Sequence, residues 1–209
     1  MMPLRFRKVY LASRSPRRRE LLKQIGVPFE LLLLREAQPR GADVDEAPLP
    51  NEKPDDYVRR ICTEKAAVAW RRVEERRLRR LPVLAADTTV CIDDEILGKP
   101  AHREDARRML ALLSGRQHRV LSAVAVRLDE ELDLMVSEST VAFRELASAE
   151  IAEYLNTGEP MDKAGAYAIQ GRAAAFVREL RGSYSGVMGL PLYETATVLA
   201  RFHPYGSYP

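Results

Sequence analysis

Along this chain, continuous apolar runs alternate with stretches in which apolar residues recur every third or fourth position, the pattern of strands interleaved with helices. Val9-Tyr10-Leu11-Ala12 predicts a short buried strand. Ser13-Arg14-Ser15-Pro16 then supplies a turn and a helix start, with Pro16 suited to the first helical turn. Leu21, Leu22 and Ile25 keep helical spacing until Gly26 stops them, and Phe29 to Leu34 predicts a continuous apolar strand. Arg35 to Pro54 reads as loop, followed by a long helix from about Asp55 to Arg80 that Pro82 ends.

Val83 to Ile92 predicts the next strand, and Gly98-Lys99-Pro100 a loop before a helix from about Arg103 to Leu113, closed by Ser114-Gly115. Val120–Leu128 and Leu132–Phe143 read as a hairpin turned at Asp129-Glu130-Glu131. Ser148 is expected to cap a helix reaching Leu155, Gly158–Gly171 is loop-rich, Phe176–Leu180 is a short strand, and Pro191–Arg201 a final helix. The expectation is an α/β protein with a mixed sheet flanked by helices, residues 1–209 forming a single domain.

Composition narrows the class. At 209 residues, 46% hydrophobic and 30% charged, the chain can bury a sizeable core and is not a disordered or fibrous sequence. Its 33 Lys+Arg against 30 Asp+Glu leave a net charge of +3, too small to require nucleic-acid binding. Cys62 and Cys91 stand apart and form no CxxC pair, which fits two small core residues in a reducing compartment. No run has the length of a membrane span and no signal peptide is evident, so the expected location is the cytoplasm. The six arginines between Arg71 and Arg80 read as a solvated helix face paired internally with Glu74 and Glu75. His102, His118 and His203 are too dispersed for a metal cluster, and Trp70 reads as helix packing.

Four polar clusters could carry chemistry, and they fall near predicted strand ends, where open α/β sheets place ligands. Ser13, Ser15, Arg17 and Arg18 surround a helix start, where backbone N–H groups, hydroxyls and guanidinium forks suit a phosphate; an N-cap with a solvated basic turn has the same composition. Asp87, with Thr88 and Thr89, interrupts a buried strand and needs a partner, for which a metal ion or an attacking water is a candidate beside a structural hydrogen bond; Lys99 lies one loop later. Between Met161 and Gly171, Gln170 offers the donor and acceptor that reading a nucleobase edge requires. Gly182 to Pro191 reads as backbone architecture leading into the last helix. Walker, Rossmann, HExxH and GxSxG motifs are absent.

Taken in order, these clusters resemble the Maf nucleoside triphosphate pyrophosphatases, a family also described as septum formation inhibitors. Leu11 to Arg18 resembles the family's opening motif, Ala86-Asp87-Thr88 its central motif, and Leu97-Gly98-Lys99-Pro100 its lysine loop. Ser114 to His118, Lys163 to Gly171 and Gly189-Leu190-Pro191 follow in family order, so the likeness covers nearly the whole chain. It implies an inosine-triphosphatase-like fold with a cleft between two lobes, assembly as a homodimer, and a divalent cation, Mg2+ or Mn2+, as cofactor. It also implies attack of a metal-activated water on the α-phosphorus of a nucleoside triphosphate, releasing the monophosphate and pyrophosphate.

Residue by residue, Asp87 resembles the proton acceptor, Lys65 and Lys99 the phosphate-binding lysines, and Glu46 the acidic partner that with Asp87 holds the metal. Glu36 is a competing acidic position, because the stretch from Glu30 to Asp43 is longer than the family norm. Ser13, Ser15, Arg18 and Lys163 join the implied substrate-binding set. Arg17, Thr88 and Gln170 match the subfamily acting on dTTP and UTP rather than the one similar to 7-methyl-GTP pyrophosphatases. Gly186 and Ala168 depart from the usual small polar residue and glycine. A nonenzymatic regulator of cell division, binding through the arginine-rich helix, is the alternative class.

Overall fold

The computed structural model describes residues 6–35 and 42–202. It is built on one seven-stranded mixed sheet. The strands are β1 (Val9–Leu11), β2 (Phe29–Leu31), β3 (Val83–Ile92), β4 (Glu95–Leu97), β5 (Gln117–Leu128), β6 (Glu131–Phe143) and β7 (Val177–Arg181). Their order is β2-β1-β3-β5-β6-β7, with β4 paired to the far end of β3. β1 runs parallel to both β2 and β3, and the remaining pairs are antiparallel. Six α-helices accompany it: α1 (Pro16–Gln24), α2 (Pro54–Glu75), α3 (Arg103–Leu113), α4 (Ser148–Asn156), the single turn α5 (Tyr184–Val187) and α6 (Leu192–Phe202).

Strand alternation sorts the core. In β3, Val83 and Ala85 face α2, packing with its Cys62, Ala66 and Trp70, whereas Leu84 and Ala86 face Leu22 of α1 and Leu199 of α6. Beyond Thr89, Val90 and Ile92 enter a separate core with Leu110 of α3 and Tyr154 of α4. Thr88 thus lies where the face of β3 opposite α2 passes from one core to another, while on the α2 face Cys91 continues the core of Val83 and Ala85 beyond Asp87.

Three of the expected boundaries shift, and some pairings with them. The strand expected over Phe29–Leu34 stops at Leu31, because it is a sheet edge; Leu31 and Leu33 are exposed. The helix expected to reach Arg80 stops at Glu75. There Arg77 takes a left-handed φ of 51°, its N–H bonds to Glu74 O, and the Leu78 N–H bonds to Val73 O, a Schellman closure with arginine in the usual glycine position. The expected intrahelical pairing of the arginines is replaced in part by longer reaches: Arg72 pairs with Asp43, and Arg80 with Asp129. Ser148 is the first residue of α4 rather than its cap, and the Ala147 N–H is satisfied by the Glu150 carboxylate at 2.9 Å. β4 and α5 were not expected; β4 follows the two-residue turn Asp93-Asp94, both at positive φ.

Glu36 and His203 lie outside the described residues. Cys62 and Cys91 are free and buried, and Trp70 packs beneath the Arg80 guanidinium. Among the described residues, no helix is long and apolar enough to cross a membrane.

Candidate active site

Two adjacent residues of β3 open on opposite faces of the sheet, and each finds a charged partner. Asp87 shares the face of Val83 and Ala85 and therefore meets α2. On α2, Tyr57, Ile61 and Lys65 follow one another at four-residue spacing, so Lys65 reaches the sheet beside Cys62 and Ala66. Its Nζ lies 2.7 Å from Asp87 Oδ1 and 2.6 Å from Glu46 Oε1. Glu46 belongs to the loop before α2, and that loop is pinned to the same helix. Tyr57 Oη donates to Glu46 O at 2.9 Å, and Arg60 donates to Ala47 O at 3.1 Å.

Thr88 faces the other way, toward α1 and the 182–191 segment. Its hydroxyl lies 2.9 Å from Ser122 Oγ, its cross-strand neighbour on β5, and Arg18 Nη2 donates to it at 3.5 Å. Arg18 also donates to Ser13 Oγ at 3.3 Å and, through Nε, to Gly189 O at 2.7 Å. Gly189 has a φ of 117°, which an L side chain rarely adopts, so the carbonyl is presented to Arg18 by a backbone that favours glycine. Ser15 caps α1, accepting from the Arg18 N–H at 3.5 Å, and Ser13 Oγ accepts from the Ser15 N–H at 3.2 Å. The opening motif is thus both a helix cap and the seat of Arg18.

The charges are unequally poised. Burial pushes the Asp87 carboxyl above its ordinary value, against the opposing charges of Lys65 and Arg18. Burial also pushes Glu46 up, but the charge and hydrogen bond of Lys65 and the charges of Lys99 and Arg18 together outweigh it, so Glu46 lies below its ordinary value. For Lys65, burial pulls down and the carboxylates of Asp87 and then Glu46 more than restore it. Burial lowers Arg18, opposed first by the charge of Asp87, yet a guanidinium starts so far above neutrality that it stays charged. One carboxyl is inclined to take a proton and its neighbour to remain ionised, the division found where two acids take different roles.

The remaining predicted residues are placed less tightly. Lys99 is exposed, and its loop is tied to the Lys163 segment by the Gly165 N–H on Gly98 O at 3.1 Å. Gly165 itself sits at φ 66° with Val90 so close that a Cβ would lie 2.9 Å from it. Lys163 pairs with Asp162, and Arg17 is exposed and pairs with Glu20 at 2.8 Å. Gln170 is half-buried in a turn, and among the described residues its amide makes no hydrogen bond. Arg18 rather than Arg17 is the guanidinium brought to Thr88.

Sequence reading missed Ser122, which is buried and donates to Gly186 O at 2.6 Å while meeting Thr88. The available signal was one hydroxyl inside the apolar run Val120 to Val126. Gly182–Pro191, read as architecture, is that and more, since its carbonyls hold both Ser122 and Arg18.

The mixed α/β sheet thus sets a lysine bridging two carboxylates on one face of β3 and, on the other, a helix start carrying a half-buried arginine, a grouping with the charge to meet an anion and the carboxyls for acid–base work. The family model described as Maf-like protein matches residues 8–202, and the chain belongs to that family. Its relatives include proteins named dTTP/UTP pyrophosphatase from Nitrosomonas europaea, 56% identical over 191 residues, covering 91% of this chain and 92% of the relative. One from Aromatoleum aromaticum is 54% identical over 204 residues, covering 97% and 98%. One from Dechloromonas aromatica is 52% identical over 194 residues, covering 93% and 96%. Among solved structures, the Staphylococcus aureus Ham1 protein aligns with a TM-score of 0.44 at 13% identity, covering 66% of this chain and 72% of that one.

Proposed function

We propose that this protein is a pyrophosphatase that hydrolyses dTTP and UTP to the monophosphate and pyrophosphate. The observation that carries the reading is the buried Asp87 joined through the Lys65 ammonium, at 2.7 Å and 2.6 Å, to the carboxylate of Glu46. Membership of a family with relatives so named, at more than half identity over nearly their full length, supports the substrate class.

The bond made is from a water oxygen to the α-phosphorus, and the bond broken is the bridging oxygen to that phosphorus, with pyrophosphate leaving on the electron pair. Asp87 takes the water's proton, for which a carboxyl of raised pKa is better suited than Glu46. Lys65 keeps both carboxylates oriented and presents charge to the phosphates. Arg18, held by Ser13, Thr88 and Gly189, and Lys99 across the site neutralise charge that moves onto the leaving group. The free amide of Gln170 donates to a carbonyl of uracil or thymine and accepts from N3–H, a pairing that cytosine cannot return. Arg17 stands at the exposed rim of the same opening motif.

Two carboxylates converging within 2.7 Å of one ammonium form a hard oxygen donor set that suits a Mg2+ or Mn2+ ion arriving with the nucleotide. Among the described residues no cluster of three His, Cys, Asp or Glu forms a complete cage, so the phosphates would supply the remaining oxygens. Asp87 and Glu46 would hold the ion, which supplies charge neutralisation and a lowered pKa for water. The test is pyrophosphate release from dTTP and UTP by the purified protein with Mg2+, and again after chelation. Release that chelation stops and Mg2+ restores is expected; no release with any divalent ion would refute the reading.

A further inference from the structure

The turn that carries Gln170 is gripped from behind by residues that touch none of the charged cluster. Ala168-Ile169-Gln170-Gly171 is a β-turn closed by the Gly171 N–H on Ala168 O at 2.9 Å. Tyr154 Oη, from α4, accepts from the Ala168 N–H at 3.4 Å and donates to Glu159 Oε1 at 2.8 Å. The other carboxylate oxygen of Glu159 accepts from the Arg172 N–H at 3.1 Å. One carboxylate therefore connects both ends of the turn, directly at its exit and through Tyr154 at its entry.

Gly171 shows how closely the carboxylate is applied. A Cβ there would lie 2.3 Å from Glu159 Oε1, while the backbone, at φ −103° and ψ −152°, is one that any L residue adopts. What a side chain at this position would displace is therefore the Glu159 carboxylate and not the turn's own backbone. Glu159 is fixed in its own place by the bond of its N–H to Thr157 Oγ1 at 3.1 Å and by Pro160 after it.

We propose that Glu159, acting with Tyr154, is the positioning residue that sets Gln170 for reading the base. The inference rests on the base-reading role of Gln170 given above. An amide that must meet a carbonyl and an N–H together tolerates little rotation, and the third residue of a turn swings with the turn's ends. Glu159 binds Arg172 and Tyr154 by hydrogen bonds whose donors lie outside the phosphate site, so its removal changes selection and not hydrolysis.

The experiment is kcat and KM for dTTP and CTP with the parent, Glu159→Ala, Glu159→Gln, Gly171→Ala, Gln170→Ala and the double variant Glu159→Ala/Gln170→Ala. Glu159→Ala and Gly171→Ala are each expected to lower the dTTP-over-CTP preference about tenfold through the KM for dTTP, with kcat within about threefold of the parent. Glu159→Gln, which keeps an acceptor for Arg172, should restore most of the preference, and the double variant should lose no more than Gln170→Ala alone. Should Glu159→Ala fail to fold, Gly171→Ala carries the expected loss of preference, with Glu159→Gln as the control that keeps it. Unchanged preference in Gly171→Ala and Glu159→Ala, alongside a loss in Gln170→Ala, would overturn the role of Glu159 alone. An equal fall in kcat for both nucleotides would make its role structural and overturn the proposal. Unchanged preference in Gln170→Ala would overturn the base-reading role itself, and this proposal with it.

Discussion

Asp87 and Lys65 illustrate what a sequence reveals about single residues. A carboxylate inside Val83–Ile92 has to be answered by a partner, so Asp87 stands out from the apolar letters around it. The matching clue for Arg18 was there too: Arg18, Leu21, Leu22 and Ile25 share one helical face, which turns Arg18 inward and Arg17 out. Ser122 was not legible, because its importance comes from lying opposite Thr88 across β3 and β5, a register that only the fold sets. Asp87→Asn keeps the side-chain volume and removes the base, so kcat should fall on the order of a hundredfold or more with the fold retained. The parent's kcat/KM should also lose activity, as pH falls, at a point above the ordinary carboxylate value, since the raised pKa of Asp87 means that its basic form is lost earlier. A near-normal kcat in folded Asp87→Asn, or an acid limb at or below the ordinary value, would contradict the assignment.

Elements were legible where their ends carry chemistry of their own. Pro16 opens α1 and Gly115 follows α3, and both boundaries fell where expected. The end of α2 was not legible, because Arg77 occupies a left-handed position without being glycine. Arg77→Gly should therefore stabilise the protein by about 1 kcal/mol, read from denaturant midpoints; a destabilised variant would show that the Arg77 side chain holds the helix end. The extra length predicted for β2 came from Leu32 to Leu34 being apolar; both Leu32 and Leu34 pack toward the core, but the bond of the Leu32 N–H to Leu11 O at 3.0 Å reaches the last residue of β1.

β5 is joined to the segment after Gly165 by a buried pair, His118 Nε2 and Tyr167 Oη at 2.8 Å, with Nδ1 unpartnered. Burial pulls the His118 pKa down to about 4. A folded-state pKa below the unfolded value means that the unfolded chain binds the proton first, so stability is full above about 6.5 and declines as pH falls toward 4. The loss approaches about 3 kcal/mol. His118→Gln should flatten that part of the stability–pH profile; an unchanged slope between pH 6.5 and 4 would show that His118 is not its source.

At the scale of the whole molecule, the ordered series of motifs from Leu11 to Pro191 conveyed more than any single one, because several mark segments that the sheet lays along β3, from Leu11 beside Leu84 to Leu97 beside Val90. What the linear order could not convey is depth: Lys65 and Arg18 are drawn to opposite faces of one strand, while Arg17 and Lys163 remain on outer ion pairs. The central claim is that this arrangement directs water to the α-phosphorus. Hydrolysis of dTTP with Mg2+ in 18O-labelled water, followed by mass spectrometry of both products, tests it most directly. The account predicts dTMP carrying one label and unlabelled pyrophosphate; label in pyrophosphate, or dTDP with inorganic phosphate as the products, would contradict it.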